Sequence, residues 1–280
     1  MPTNPPPTLA DLRREIDRID EAMHRLLMQR GDISDRLIAT KKTAESGSAF
    51  RPAREADMMR RLVERHHGIL PLDTAEGIWR VIIATFTYVQ APFSVHADLS
   101  AGEAAMRDSA RFHFGFTAPF LTHIGAAGVV AAIAASRGDL GLVPATVAKG
   151  AWWTALEGGD APKIIARLPF VERADHPAGL PVFAIARPHP DALVTDVETW
   201  SIRVAGWGPA AARALDPLAE VVAVPDRGFE AAALLVSVAR GSLDALEAAL
   251  VKAGASVRSK ALVGSHARRY TVTANGAQPI

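Results

Sequence analysis

Two cations sit where a helix should be apolar. Counting along the N-terminal segment, Ile19, Met23, Leu26, Arg30, Ile33, Leu37 and Lys41 follow steps of three and four. That spacing keeps one face of a helix turned toward a partner. A cation on such a seam is costly unless an anion pairs with it. Arg30 and Lys41 share a face to within about 20° and lie roughly 16 Å apart along the axis. Long side chains leaning toward each other would grip a small dianion between them. Arg13 lies about 25 Å of helix from Arg30 and points to another side, so it reaches that pocket only from a second, antiparallel copy. The alternative is three ordinary solvated helix cations, and spacing alone leaves both readings open.

The element that must position these cations is one long helix over residues 8–45, with apolar positions at Leu9, Leu12, Ile16, Ile19, Met23, Leu26, Leu27, Ile33, Leu37 and Ile38. Thr8 with Asp11 caps its start, and Gly47 lies just past its end. At roughly 55 Å it is longer than a small domain is wide, so its stripe predicts pairing with a second copy. A second helix opens at Arg51-Pro52-Ala53-Arg54-Glu55, presents Met58, Met59, Leu62 and Val63, and ends near Gly68. A third starts at a capping box of Asp73 and Glu76, runs through Ile78, Val81, Ile82 and Phe86 to Gln90, and is stopped by Pro92.

From Ser94 onward Ala and Gly rise and short strands alternate with helices, which predicts α/β layering. Strands are expected at 111–116, 139–143, 163–168, 182–186, 200–204, 220–224, 232–238 and 270–273. Helices are expected at 126–136, 147–155, 209–215 and 243–253. Pro188 and Pro190 mark a boundary near 190–197, and the β-α-β-β-α-β order beyond it is that of a ferredoxin-like unit. The predicted architecture is an all-α three-helix domain over 1–93, an α/β domain over 94–195 and a second α/β domain over 196–280.

Composition narrows the function. The 280 residues carry a net charge of +1, which gives no push toward nucleic acid or an anionic membrane. There is no cysteine, which excludes disulfides, thiol nucleophiles and thiolate metal sites. No cofactor is implied. Residues 1–7 form a Pro-rich tail unlike a secretion signal, and no run is long and apolar enough to span a bilayer, so a cytoplasmic protein is expected.

Residues 9–92 resemble the all-helical class of chorismate mutase. The resemblance rests on Leu12-Arg13-Arg14-Glu15-Ile16-Asp17-Arg18-Ile19-Asp20, then Leu26-Leu27 with Arg30, Lys41, Arg51-Pro52-Ala53-Arg54-Glu55, and Gln90. It implies an isomerase of aromatic amino-acid biosynthesis, an intertwined homodimer, and sites that each borrow an arginine from the partner. Chorismate carries two carboxylates and rearranges to prephenate by an intramolecular [3,3] shift, which needs no nucleophile, metal or base. The resemblance assigns the carboxylates to Arg30 and to Arg13 of the partner chain. It assigns the breaking ether oxygen to Lys41 and Gln90, and the ring hydroxyl to Glu55, which also fits a helix N-terminal charge partner. The family pattern is broken at Met58 and Met59, where it has an arginine and a glutamate, and at Phe86, where it has a serine.

In bifunctional relatives the mutase precedes a prephenate dehydratase and an ACT domain. Asp139-Leu140-Gly141-Leu142-Val143-Pro144 is similar to a dehydratase stretch, but Leu180-Pro181-Val182 stands where that family has its catalytic Thr-Arg-Phe. The middle region is therefore expected to resemble a dehydratase without its chemistry, and the last region an ACT domain open to an aromatic amino-acid effector. Isochorismate pyruvate lyase uses the same helical scaffold and is the competing enzyme, and a non-catalytic sensor is the reading from another class. His66-His67 point apart on a helix and carry no ligand spacing. Ser109 and Ser265-His266 lack a nucleophile constellation, Trp152-Trp153 read as packing, and Arg258, Lys260, Arg268 and Arg269 read as a solvated edge.

Overall fold

The structure is a computed structural model that describes residues 6–41, 48–146, 150–187, 196–225, 231–273 and 276–279; the side chains of Lys41, Thr273 and 276–279 lie outside that description. Helix α1 (Leu9–Lys41) begins with the expected capping box. The Thr8 amide donates to Asp11 at 2.9 Å and the Asp11 amide donates to Thr8 Oγ1 at 3.2 Å. The expected continuation past Lys41 lies outside the described residues. Most of the apolar stripe faces solvent, with Leu9 64%, Ile16 56% and Leu26 61% exposed. Only the last third of α1 packs. A Cβ added at Gly31 would stand 3.7 Å from the Phe86 ring, and Ser34 is buried.

Helix α2 (Pro52–Arg65) has proline in its first turn, where a missing N–H costs nothing, and buries Glu55, Met59, Leu62 and Val63. Helix α3 (Leu72–Gln90) starts one residue before the expected capping box, and no side chain caps it. Glu76 is instead 1% exposed and engaged by Arg173 and His176, so tertiary contacts took the side chain that the box required. The helical core runs on into the α/β region, where Phe114 meets the rings of Phe50 at 5.5 Å and Phe93 at 6.1 Å.

That region contains β1 (Val95–Asp98), α4 (Glu103–Phe114), β2 (Phe120–His123), α5 (Ala126–Ala135), β3 (Leu140–Pro144), β4 (Lys163–Leu168), β5 (Val171–Glu172) and β6 (Val182–Ala186). It continues with β7 (Val197–Ala205), α6 (Pro209–Leu215), β8 (Ala219–Pro225), β9 (Ala231–Ala239), α7 (Leu243–Lys252), β10 (Ser256–His266), β11 (Tyr270–Thr273) and β12 (Gly276–Pro279). Among the described residues one sheet of nine strands runs β2-β1-β3-β6-β4-β10-β7-β9-β8, and β12-β11-β5 form a small second sheet.

Three expectations are corrected. Residues 111–116, expected as a strand, are the last turn of α4 and the residues after it. Met106, Ser109, Ala110, His113 and Phe114 are buried there at helical spacing, and the apparent alternation of Arg111-Phe112-His113-Phe114 is incidental. The helix expected over 147–155 lies partly outside the described residues, and Trp152–Leu156 form a 3-10 turn that buries Trp153 completely. The last strand of the ferredoxin-like unit is β10, not 270–273. The first half of β10 is mostly exposed, so Ser256 to Lys260 lack the apolar alternation that marks a strand. With β10 in place the order β10-β7-β9-β8 is that of a ferredoxin-like unit. β10 also meets β4 at Gly264 and Ile164, where a Cβ on residue 264 would fall 2.2 Å from the Ile164 carbonyl oxygen. Only glycine lets the two parts of the sheet approach so closely. No helix among the described residues is long and apolar enough to cross a membrane.

Candidate functional site

A cleft of 360 Å³ opens between the end of α1, the start of α2 and the last turns of α3. Arg30, Arg51, Arg54, Glu55, Thr87 and Gln90 supply its polar surface, and Ile33, Met58 and Phe86 are among its apolar walls. The Arg30 guanidinium lies 4.3 Å over the Phe86 ring. Its Nη1 is buried and has no hydrogen-bond partner among the described residues. Burial first, and the Arg54 charge second, lower its pKa from the ordinary guanidinium value. A desolvated cation with an unmet donor is set up to receive an anion, and a carboxylate matches its planar fork.

Arg51 donates to the Ser48 carbonyl at 2.6 Å and the Phe50 carbonyl at 3.1 Å, which ties the entrance of α2 to the loop before it. Glu55 is 4% exposed and accepts a 2.8 Å hydrogen bond from Arg80. Burial raises its carboxyl pKa, while Arg80 and the Thr87 hydroxyl oppose that rise. Glu55 is thus ion-paired with a residue on another helix, a partner that neither reading from sequence named. Gln90 Nε2 donates to the Phe86 carbonyl at 2.9 Å and has a second proton to offer the cleft.

Of the residues singled out from sequence, Arg30, Glu55 and Gln90 converge on this cleft. Arg13 is exposed on the first turns of α1, roughly 25 Å along the helix from Arg30, so one chain does not bring them together. Lys41 ends α1, and its side chain lies outside the described residues. Of the two methionines that break the family pattern, Met58 lines the cleft and Met59 is fully buried in the core. Sequence reasoning missed Arg54 as a cleft residue and Arg80 as the partner of Glu55. Arg80 carried a usable signal, since it shares the buried face of α3 with Ile83, Ala84 and Thr87. That is the same anomaly that exposed Arg30.

Elsewhere, Arg269 is not on a solvated edge: it pairs with Glu172 at 2.6 Å and Glu220 at 3.2 Å. His266 is buried 3.4 Å from the Ser237 hydroxyl, and burial lowers its pKa to about 4, which makes it a poor base near neutrality. Among the described residues no group of His, Asp or Glu is arranged to hold a metal ion.

Residues 12–91 match the family described as chorismate mutase type II. A bifunctional chorismate mutase/prephenate dehydratase of Aquifex aeolicus (strain VF5) is 29% identical over 140 residues, which cover 49% of this chain and 38% of that protein. The chain thus spans well under half the length of this curated relative. A solved prephenate dehydratase from Streptococcus mutans aligns with a TM-score of 0.40 at 12% identity, over 64% of this chain and 100% of that one. A structure described as GqqA, a novel type of quorum quenching acylases, aligns with a TM-score of 0.41 at 13% identity, over 62% of this chain and 94% of that one. The helical segment that builds the cleft is thus the part of the chain that matches the chorismate mutase type II family.

Proposed function

We propose that the cleft binds chorismate and rearranges it to prephenate. The observation that supports this reading is Arg30, a half-buried guanidinium whose Nη1 has no partner among the described residues, in a cleft whose other described charges are two arginines and one ion-paired glutamate. In the rearrangement the ether C–O bond breaks as a new C–C bond forms within the same molecule, so nothing is added or lost. The site must hold the folded conformer and stabilise negative charge growing on the ether oxygen. Arg30 takes one carboxylate and the partner subunit's Arg13 takes the other. Lys41 and Gln90 donate to the ether oxygen, and Glu55 orients the hydroxyl end. The exposed stripe of α1, from Leu9 to Leu37, supports a dimer that would bring Arg13 to the other copy's cleft.

The division into 1–93, 94–195 and 196–280 is part of the same reading. Its support is the ferredoxin-like order of β7 to β10 and their narrow junction with β4 at Gly264. The middle region is read as catalytically silent because Leu180-Pro181-Val182 offers no hydroxyl or cation at the position of the dehydratase motif. The last region is read as ACT-like and open to an aromatic amino acid. Incubation of the purified protein with chorismate, and separately with isochorismate, tests this by product identification. Prephenate accumulation is expected. Phenylpyruvate would restore the dehydratase, salicylate and pyruvate from isochorismate would indicate the lyase, and binding without turnover would make the cleft a sensor. Phenylalanine, tyrosine and tryptophan added in turn should shift activity or Tm; no response to any of them would remove the effector.

A further inference from the structure

The acid of the cleft is tied through one arginine to the region beyond the helical segment. Arg80 on α3 is 1% exposed and divides its guanidinium between two acceptors. One arm donates to Glu55 at 2.8 Å, and the other to the His113 carbonyl at 2.5 Å. His113 lies in the last turn of α4, where carbonyls lack intrahelical partners and the helix end carries partial negative charge. The Phe170 ring, 5.7 Å from the Arg80 guanidinium carbon, closes the third side. Both anchors beyond Glu55 therefore belong to the α/β region. We propose that Arg80 is a positioning residue for the cleft, orienting the Glu55 carboxylate because its own guanidinium is fixed on α4.

A neighbouring ion pair shows what a purely structural clamp looks like here. Glu76, four residues before Arg80 on α3, binds Arg173 at 2.6 Å and His176 at 3.2 Å, and all three side chains are buried. That pair ties the same helix to the same region, but none of its members lines the cleft. Burial works to protonate Glu55 and release it from a fixed orientation, and the Arg80 charge opposes this. Lysine at position 80 would keep the charge but lose the fork, so it could not serve Glu55 and the His113 carbonyl together.

This inference rests on the mutase reading, and one set of full-length variants separates the two. Wild type, Arg80→Lys, Glu55→Gln, the double variant Glu55→Gln/Arg80→Lys and Arg173→Met are compared for kcat and KM on chorismate and for Tm. Arg80→Lys should lose at least about tenfold in kcat while remaining folded. The double variant should be no slower than Glu55→Gln, since Arg80 acts only through that carboxylate. Arg173→Met should lower Tm yet keep kcat within about twofold of wild type. A normal kcat in Arg80→Lys, losses that multiply in the double variant, or an equal kcat loss in Arg173→Met would each overturn the positioning role while leaving the mutase reading intact. A wild type that does not turn over chorismate would overturn the mutase reading, and the role of Arg80 with it.

Discussion

Replacing Arg30 with methionine should make the ligand-free protein more stable and much less active. An unpartnered buried donor costs about 1–3 kcal/mol, and the buried Nη1 of Arg30 is such a donor among the described residues. Its stacking on Phe86 returns about 0.5–1 kcal/mol. A methionine thioether on the same ring recovers a comparable amount, about 0.3–1.5 kcal/mol. The substitution also removes the repulsion between Arg30 and Arg54. The balance favours Arg30→Met by roughly 1–2 kcal/mol in the absence of ligand. With substrate the order inverts, because a charge-assisted bond to a carboxylate contributes about 1.5–3 kcal/mol, or about 10- to 150-fold in kcat/KM. Urea unfolding at equal protomer concentration, without ligand and with an unreactive dicarboxylate such as malate, reads both effects. Wild type should unfold earlier than the variant when free and gain stability with malate, and the variant should not respond. A variant that unfolds earlier without ligand would mean that Arg30 is a satisfied structural cation, and the cleft would lose its main support as an anion site.

Three further outcomes follow from the same contacts. Mixing inactive Arg13→Ala and Arg30→Ala proteins should restore activity to about a quarter of wild type, because half the dimers are mixed and each mixed dimer keeps one intact site; absence of complementation would show that Arg13 and Arg30 do not serve a shared site. Gly264→Ala should destabilise by roughly 1–3 kcal/mol or more in urea, since its Cβ would collide with the Ile164 backbone; a loss under about 1 kcal/mol would mean the β4–β10 junction yields easily. For His266 the folded pKa of about 4 lies below the unfolded value near 6.5, so the unfolded chain takes up the proton first as pH falls. Its contribution is complete above pH 6.5 and is lost toward pH 4, about 3 kcal/mol in all, so Tm should fall less over that window in His266→Gln than in wild type.

The helical segment was legible because its signals are local. Steps of three and four, the Thr8–Asp11 cap and the Pro52 start of α2 are set by residues a turn apart, and they fixed the helices and turned Arg30 toward a seam. The same reasoning placed Val182–Ala186 and Pro209–Leu215 to the residue, since each is bounded by local turn chemistry. It failed where partners distant in sequence decide the outcome. Glu76 reads as half of a capping box, and Arg173, 97 residues on, claims it instead. Ser256–His266 received no strand expectation, and pairing with β7 along nearly its whole length makes it one. For Glu55, spacing along the chain gave no sign of its ion-pair partner Arg80, which comes from another helix. The sequence by itself determined three helices and a cation on an apolar face. Only the tertiary structure decided what holds the acid that shares the cleft with that cation, because burial and ion pairing are properties of the folded neighbourhood rather than of spacing along the chain.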